Sequence, residues 1–171
     1  MVHWFWMRRA LVATIAASLL SAPDLLWAGE AAAMHHAIGT FEVSLKPVGE
    51  VGGAAEDGNA LGRMSLEKTF SGALQGKGSG EMLAARSAEP TSASYVAIER
   101  VTGTLDGHQG SFVLVHRGVM QGGEQQLEIQ ISPDSGSGAL KGIAGSLSLR
   151  IEQGVHHYDL AYTLPEAGSG H

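Results

Sequence analysis

YVAIERVTGTLDGHQGSFVLVHRG, residues Tyr95 to Gly118, is the stretch that decides the fold of this chain. Two alternating runs flank Asp106-Gly107, and a D-G pair between such runs is a strong short-range signal for a β-hairpin with a two-residue turn. With Asp106 and Gly107 as the central residues, Leu105 faces His108, Glu99 faces Leu114 and Ala97 faces His116. Glu99 and His116 are then diagonal neighbours on one face, within reach of each other's side chains. They share that face with Tyr95, Ala97, Val101, Phe112 and Leu114. An ionisable group at a core position must be paired or neutralised. The two residues therefore mark a structural pair or a seat of chemistry.

Outward from the hairpin, short alternating runs recur and no amphipathic helix of any length follows the N-terminal region. Gly39–Lys46 reads as a first strand stopped at Pro47, and Gly49–Ala60 as a flexible loop. Leu61–Ser71 alternates Met64, Leu66, Lys68 and Phe70 against a polar face, and Gly72–Arg86 reads as one long, coiled strand loosened by glycines. After a loop around Pro90 come Tyr95–Leu105, Ser111–Met120, Gln125–Ser132, Ala144–Glu152 and Val155–Leu164. Residues 133–136 and Gln153-Gly154 have the composition of turns. About eight antiparallel strands in series give a sandwich or a small closed up-and-down β-barrel. The strands carry few prolines and lysines to blunt an edge, which favours closure. The fold class expected is all-β.

Composition removes several classes of function. The 171 residues contain no cysteine, which excludes disulfides, thiolate metal sites, thiol catalysis and a lipoprotein anchor. A net charge of −6 without a basic run argues against nucleic acid and against anionic membrane surfaces. Eight histidines raise the question of metal. His35-His36 and His156-His157 are adjacent pairs, whose side chains point to opposite faces of a strand, and no spacing within a strand converges three ligands. No metal site and no cofactor are expected. GKGSG, residues 76–80, lacks the spacing and the helix of a phosphate loop and is better explained by strand coiling. No G-x-S-x-G elbow is present.

The N-terminal residues have the layout of a secretory signal peptide over 1–33. Arg8-Arg9 precede the apolar segment Ala10–Leu20, and small residues follow, with cleavage expected after Ala28 or Ala33. The apolar run is too short for a permanent membrane anchor. The leader holds Arg8, Arg9 and Asp24, a net +1, so cleavage after Ala28 leaves −7. Met7 and Met34 are alternative starts. The expected location is outside the bacterial cytoplasm, periplasmic or secreted, with a single barrel domain over 34–165 and a frayed tail over 166–171.

Several strings together resemble a bacterial family, domain of unknown function 3224. They are FSGALQGKGSGE (Phe70 to Glu81), YVAIERVTGTLDG (Tyr95 to Gly107), GSFVLVHRG (Gly110 to Gly118), SPDSGSGALKGIAGSL (Ser132 to Leu147) and HYDLAYTLP (His157 to Pro165). The resemblance runs from Gly39 to Pro165 and departs from the family at the exported leader and at Ser137. It implies an allene oxide cyclase-like barrel of eight antiparallel strands, and no established activity.

Alternation selects the polar residues that share a face with apolar ones. They are Lys68, Glu81, Glu99 and His116, with Tyr95, Phe112 and Tyr158 beside them. A small barrel fills its lumen with side chains or holds one small ligand there. These seven are the candidate ligand-binding residues, and Glu99 and His116 are the catalytic candidates. The plain reading of Glu99 and His116 is a self-satisfied pair that fixes register. The sharper reading is general acid–base work, since a desolvated glutamate beside a histidine can exchange protons near neutrality. Three functions are thus open: binding of a small, largely apolar ligand, a cyclase- or isomerase-type enzyme, which the resemblance to allene oxide cyclase-like barrels implies, or a structural domain that forms homo-oligomers. An internal cavity would support the first two and a solid lumen the third.

Overall fold

A computed structural model describes residues 32–52 and 58–165. The expected signal peptide and C-terminal tail lie outside the described residues. Nine β-strands and no helix are formed among those described: β1 (His35–Glu50), β2 (Ala60–Gly72), β3 (Leu74–Arg86), β4 (Ala93–Leu105), β5 (His108–Gln121), β6 (Glu124–Ile131), β7 (Ser137–Gly138), β8 (Ala144–Glu152) and β9 (Val155–Thr163). Each barrel strand pairs antiparallel with its neighbours in the chain, and β1 pairs with β9 to close the ring. The result is an eight-stranded up-and-down barrel, with the two-residue β7 attached to the start of β5. Closure pairs nearly every strand edge and so removes the template for edge-to-edge association. The thinnest seam is between β6 and β8, which share one bridging pair, Gln130 with Ser146.

The β4–β5 hairpin has the register expected from its turn. Leu105 pairs with His108, Glu99 with Leu114 and Ala97 with His116. Asp106 and Gly107 have φ of 46° and 84°, the left-handed pair of a type I′ turn. Gly122-Gly123 and Gln153-Gly154 repeat it at two other hairpins. The first strand is longer than the run Gly39–Lys46 suggests, because pairing with β2 continues past Pro47 through a register shift between Pro47 and Gly49.

The barrel has one closed end and one open end. At the closed end, Ala37, Leu74, Leu105, Leu160 and Tyr162 are fully or nearly fully buried. Leu140 and Ile143, from the connection between β7 and β8, are buried there too. The Tyr158 hydroxyl accepts the Leu74 N–H at 2.9 Å and lies 3.3 Å from the Ser71 carbonyl, which ties β9 across to the β2–β3 turn. Tyr162 donates to Asp106 Oδ2 at 2.7 Å, and burial together with that carboxylate pushes its pKa up to about 12. At the open end Leu45, Tyr95, Leu127, Leu149 and His156 are only partly covered. On the outer wall Leu83, Val96, Ile98 and Val115 are exposed.

Candidate functional site

Tyrosines apart, three titratable side chains are buried among the described residues, and all three meet inside the barrel. Lys68 points inward from β2, Glu99 from β4 and His116 from β5. Lys68 Nζ donates to Glu99 Oε2 at 2.7 Å. His116 Nε2 lies 3.0 Å from the same oxygen. That second contact is close but poorly aligned, since Nε2 lacks a hydrogen bond of good geometry. It is a close approach more than a directed bond, and it presents Nε2 to a carboxylate. The Lys68 ammonium also stands 4.6 Å from the centre of the Phe41 ring and 5.7 Å from that of Phe70, so aromatic faces share in stabilising it.

The meeting of Lys68 and Glu99 depends on β3, which lies between their strands. Lys68 pairs with Gly78, and Glu99 with Gly80. The inward positions of β3 at this level are Gly76, Gly78 and Gly80, so no side chain separates β2 from β4. Strands are about 4.8 Å apart, and two long side chains span two such gaps only if the middle strand is bare. A Cβ on Gly78 would collide with Glu99 Oε1. That oxygen is buried against the glycine and has no hydrogen-bond partner. A fully buried carboxylate with one bare oxygen is costly unless strongly paired.

Burial pushes the Glu99 carboxyl up, and the His116 and Lys68 contacts pull it down by more, so its pKa ends below the ordinary value of 4.5. A carboxyl whose folded pKa is depressed stabilises the fold fully above the unfolded pKa. That stability is lost as pH falls through the folded value. Urea midpoints of the wild type should therefore be flat above the ordinary carboxylate range and fall below it. In Lys68→Met/Glu99→Met the part of this fall due to Glu99 should vanish. An identical pH profile in that variant would show that Glu99 does not report acid unfolding.

A cavity of about 240 Å³ opens from this cluster toward the open end. Lys68 and His116 form its polar part, and Phe41, Val43, Ile129 and Leu149 are among its apolar walls. His156 stacks on Phe41, ring centres 5.0 Å apart, at the rim. Tyr95 also lines the mouth, with its ring laid across Gly118 of β5. Glu99 stands behind Lys68 and His116, fully buried. Larger hollows lie on the outer wall, for example around Val96 and Arg117, but none lies over a buried polar cluster.

Of the seven residues read from the sequence, Lys68, Tyr95 and His116 line the cavity and Glu99 braces it. Three are elsewhere. Glu81 is on the outer face, 3.3 Å from Arg63, because the inward set of β3 is the glycine row and Met82, while Leu83 points outward with Glu81. Phe112 is buried on the right face but four residues toward the closed end from His116, roughly 13 Å along the strand. Tyr158 is committed to its hydrogen bonds at the closed end. The alternation within Gly39–Lys46 could have supplied Phe41 and Val43. His156 lies on β9 two residues before Tyr158, so the same alternation that turns Tyr158, Leu160 and Tyr162 inward could have supplied it as well.

Comparison with known proteins agrees with the strings noted above. A family model described as protein of unknown function (DUF3224) matches residues 37–162. A crystal structure of a protein with unknown function from the DUF3224 family, from Shewanella oneidensis MR-1, is 43% identical in sequence with a TM-score of 0.74. The match covers 79% of this chain and 100% of that one. No curated protein matches the chain.

Proposed function

The chain belongs to the DUF3224 family, and from that premise we propose that it binds a small, largely apolar molecule at the open end of the barrel. The observation that carries this reading is the cavity of about 240 Å³ whose apolar wall ends on Lys68 and His116. Binding sites typically combine an apolar wall with a few convergent polar groups, and drug-sized ones measure about 300–1,000 Å³. The cavity here is somewhat smaller, so the ligand is small. A purely structural barrel would gain more from filling that space with side chains and from replacing buried charges with apolar groups.

The leader arrangement of Arg8-Arg9 and the apolar segment Ala10–Leu20 supports an exported protein. Native mass spectrometry of the protein from the cell envelope tests both points at once. The expected spectrum shows a chain starting at Gly29 or Met34 and a low-mass adduct that dissociates on activation. A bare chain from every growth condition would count against ligand binding, and a chain retaining Met1 or Met7 against export. The contact of His116 with Glu99 also favours acid–base turnover, because a carboxylate behind an imidazole orients a general base. Recovery of the adduct unchanged after prolonged incubation would argue against that second reading.

A further inference from the structure

The polar end of the cavity has a definite pattern of donors, acceptors and charge. Lys68 spends one hydrogen bond on Glu99 and otherwise stands against the rings of Phe41 and Phe70, so its ammonium has donors to spare. The His116 ring lines the cavity with its Nε2 edge against Glu99. The nitrogen that faces a carboxylate carries the proton, which leaves Nδ1 as a free acceptor. No hydrogen bond among the described residues reaches Nδ1, whereas the buried His116 atom left without a partner is Nε2. A ligand head that satisfies both groups must accept from Lys68 and donate to His116.

From this pattern we infer that the ligand of the cavity is a small apolar carboxylic acid, held between Lys68 and His116 and taken up together with one proton. The inference rests on the cavity reading above and adds the head group. One carboxyl oxygen accepts from the Lys68 ammonium, and the other shares a proton with His116 Nδ1. The charges require that proton. Lys68 and Glu99 already cancel each other, so an acid arriving as its carboxylate would leave one uncompensated negative charge in a buried site. A proton drawn from water and held between His116 and the carboxyl restores neutrality. One other base lines the cavity, His156, and the His116→Gln variant distinguishes it. Glu99 from β4 and Lys68 from β2 are committed to each other, β6 presents Ile129 opposite His116, and β9 contributes His156 at the rim, stacked on Phe41. Tyr95 at the mouth has its pKa raised by burial, so it remains a neutral phenol.

The probes are 4-phenylbutyrate and 4-phenylbutan-1-ol, which share one apolar body and differ in the head. Calorimetric titration at pH 8, above the range in which histidines ordinarily titrate, is run in buffers of different ionisation enthalpy. The butyrate is expected to bind with uptake of about one proton and to weaken by about tenfold per pH unit above pH 8, as linkage requires. The alcohol should bind at least about tenfold more weakly. His116→Gln, checked for native fold by circular dichroism, should lose the proton uptake. Equal binding of alcohol and acid without proton uptake overturns the acid head group and leaves the cavity reading standing. Failure of both probes to bind overturns the cavity reading with it. Should His116→Gln fail to fold, the wild-type buffer series decides the outcome alone.

Discussion

Gly78→Ala is expected to destabilise the barrel by about 3 kcal/mol, a large effect for the addition of one methyl group. The added Cβ would occupy the place of Glu99 Oε1. The carboxylate cannot retreat, because its other oxygen is held by Lys68 and lies against His116. The backbone offers no objection to alanine, since Gly78 is not among the residues with positive φ. Alanine at a mid-strand position would otherwise be neutral or better by up to about 1 kcal/mol. The cost therefore belongs to the collision and should disappear with the carboxylate. In a Lys68→Met/Glu99→Ala background, Gly78→Ala should leave the urea midpoint unchanged or raise it. Additive losses in that cycle would mean that Gly78 serves the strand and not the charged cluster.

This dependence on a glycine explains which parts of the molecule were legible in the sequence. The β4–β5 hairpin could be read to the residue, because a two-residue turn fixes the register and alternation then fixes the face. Lys68, Glu99 and His116 were each recognisable as charged or titratable intruders on an apolar face. Their convergence was only half visible. The Glu99–His116 contact joins neighbouring strands, where register arithmetic applies. Lys68 reaches Glu99 across an intervening strand, and pair rules describe only direct neighbours. The glycine row of β3 permits that reach and also hides it. With Gly76, Gly78 and Gly80 inward, the strand loses the apolar alternation that marks an inner face. Glu81, on the outer face beside Leu83, then reads as luminal by default. Leu140 and Ile143 were illegible for a different reason: they seal the closed end from an irregular connection, and irregular backbone carries no period.

Lys68→Met should cost about 3–5 kcal/mol, the range for stranding a buried charge by removing its partner. Glu99 is fully buried and its Oε1 already lacks a hydrogen bond, so without Lys68 it retains only the misaligned contact with His116. His116→Ala is the milder change, about 1 kcal/mol, because Glu99 keeps the 2.7 Å bond to Lys68. A hairpin considered alone would suggest that Glu99→Gln rescues His116→Ala by removing an orphaned carboxylate. The third member of the cluster reverses that expectation, because Glu99→Gln strands the Lys68 ammonium in turn. Glu99→Gln should therefore add to the loss in a His116→Ala background. Lys68→Met/Glu99→Met removes both charges together and should return to within about 1 kcal/mol of wild type, since buried ion pairs are often replaceable by apolar groups of similar volume. Urea unfolding of the five variants measures these differences directly. If Lys68→Met costs no more than His116→Ala, the lysine is not the principal partner of Glu99, and the cluster is the simple strand-neighbour pair that the hairpin alone predicts.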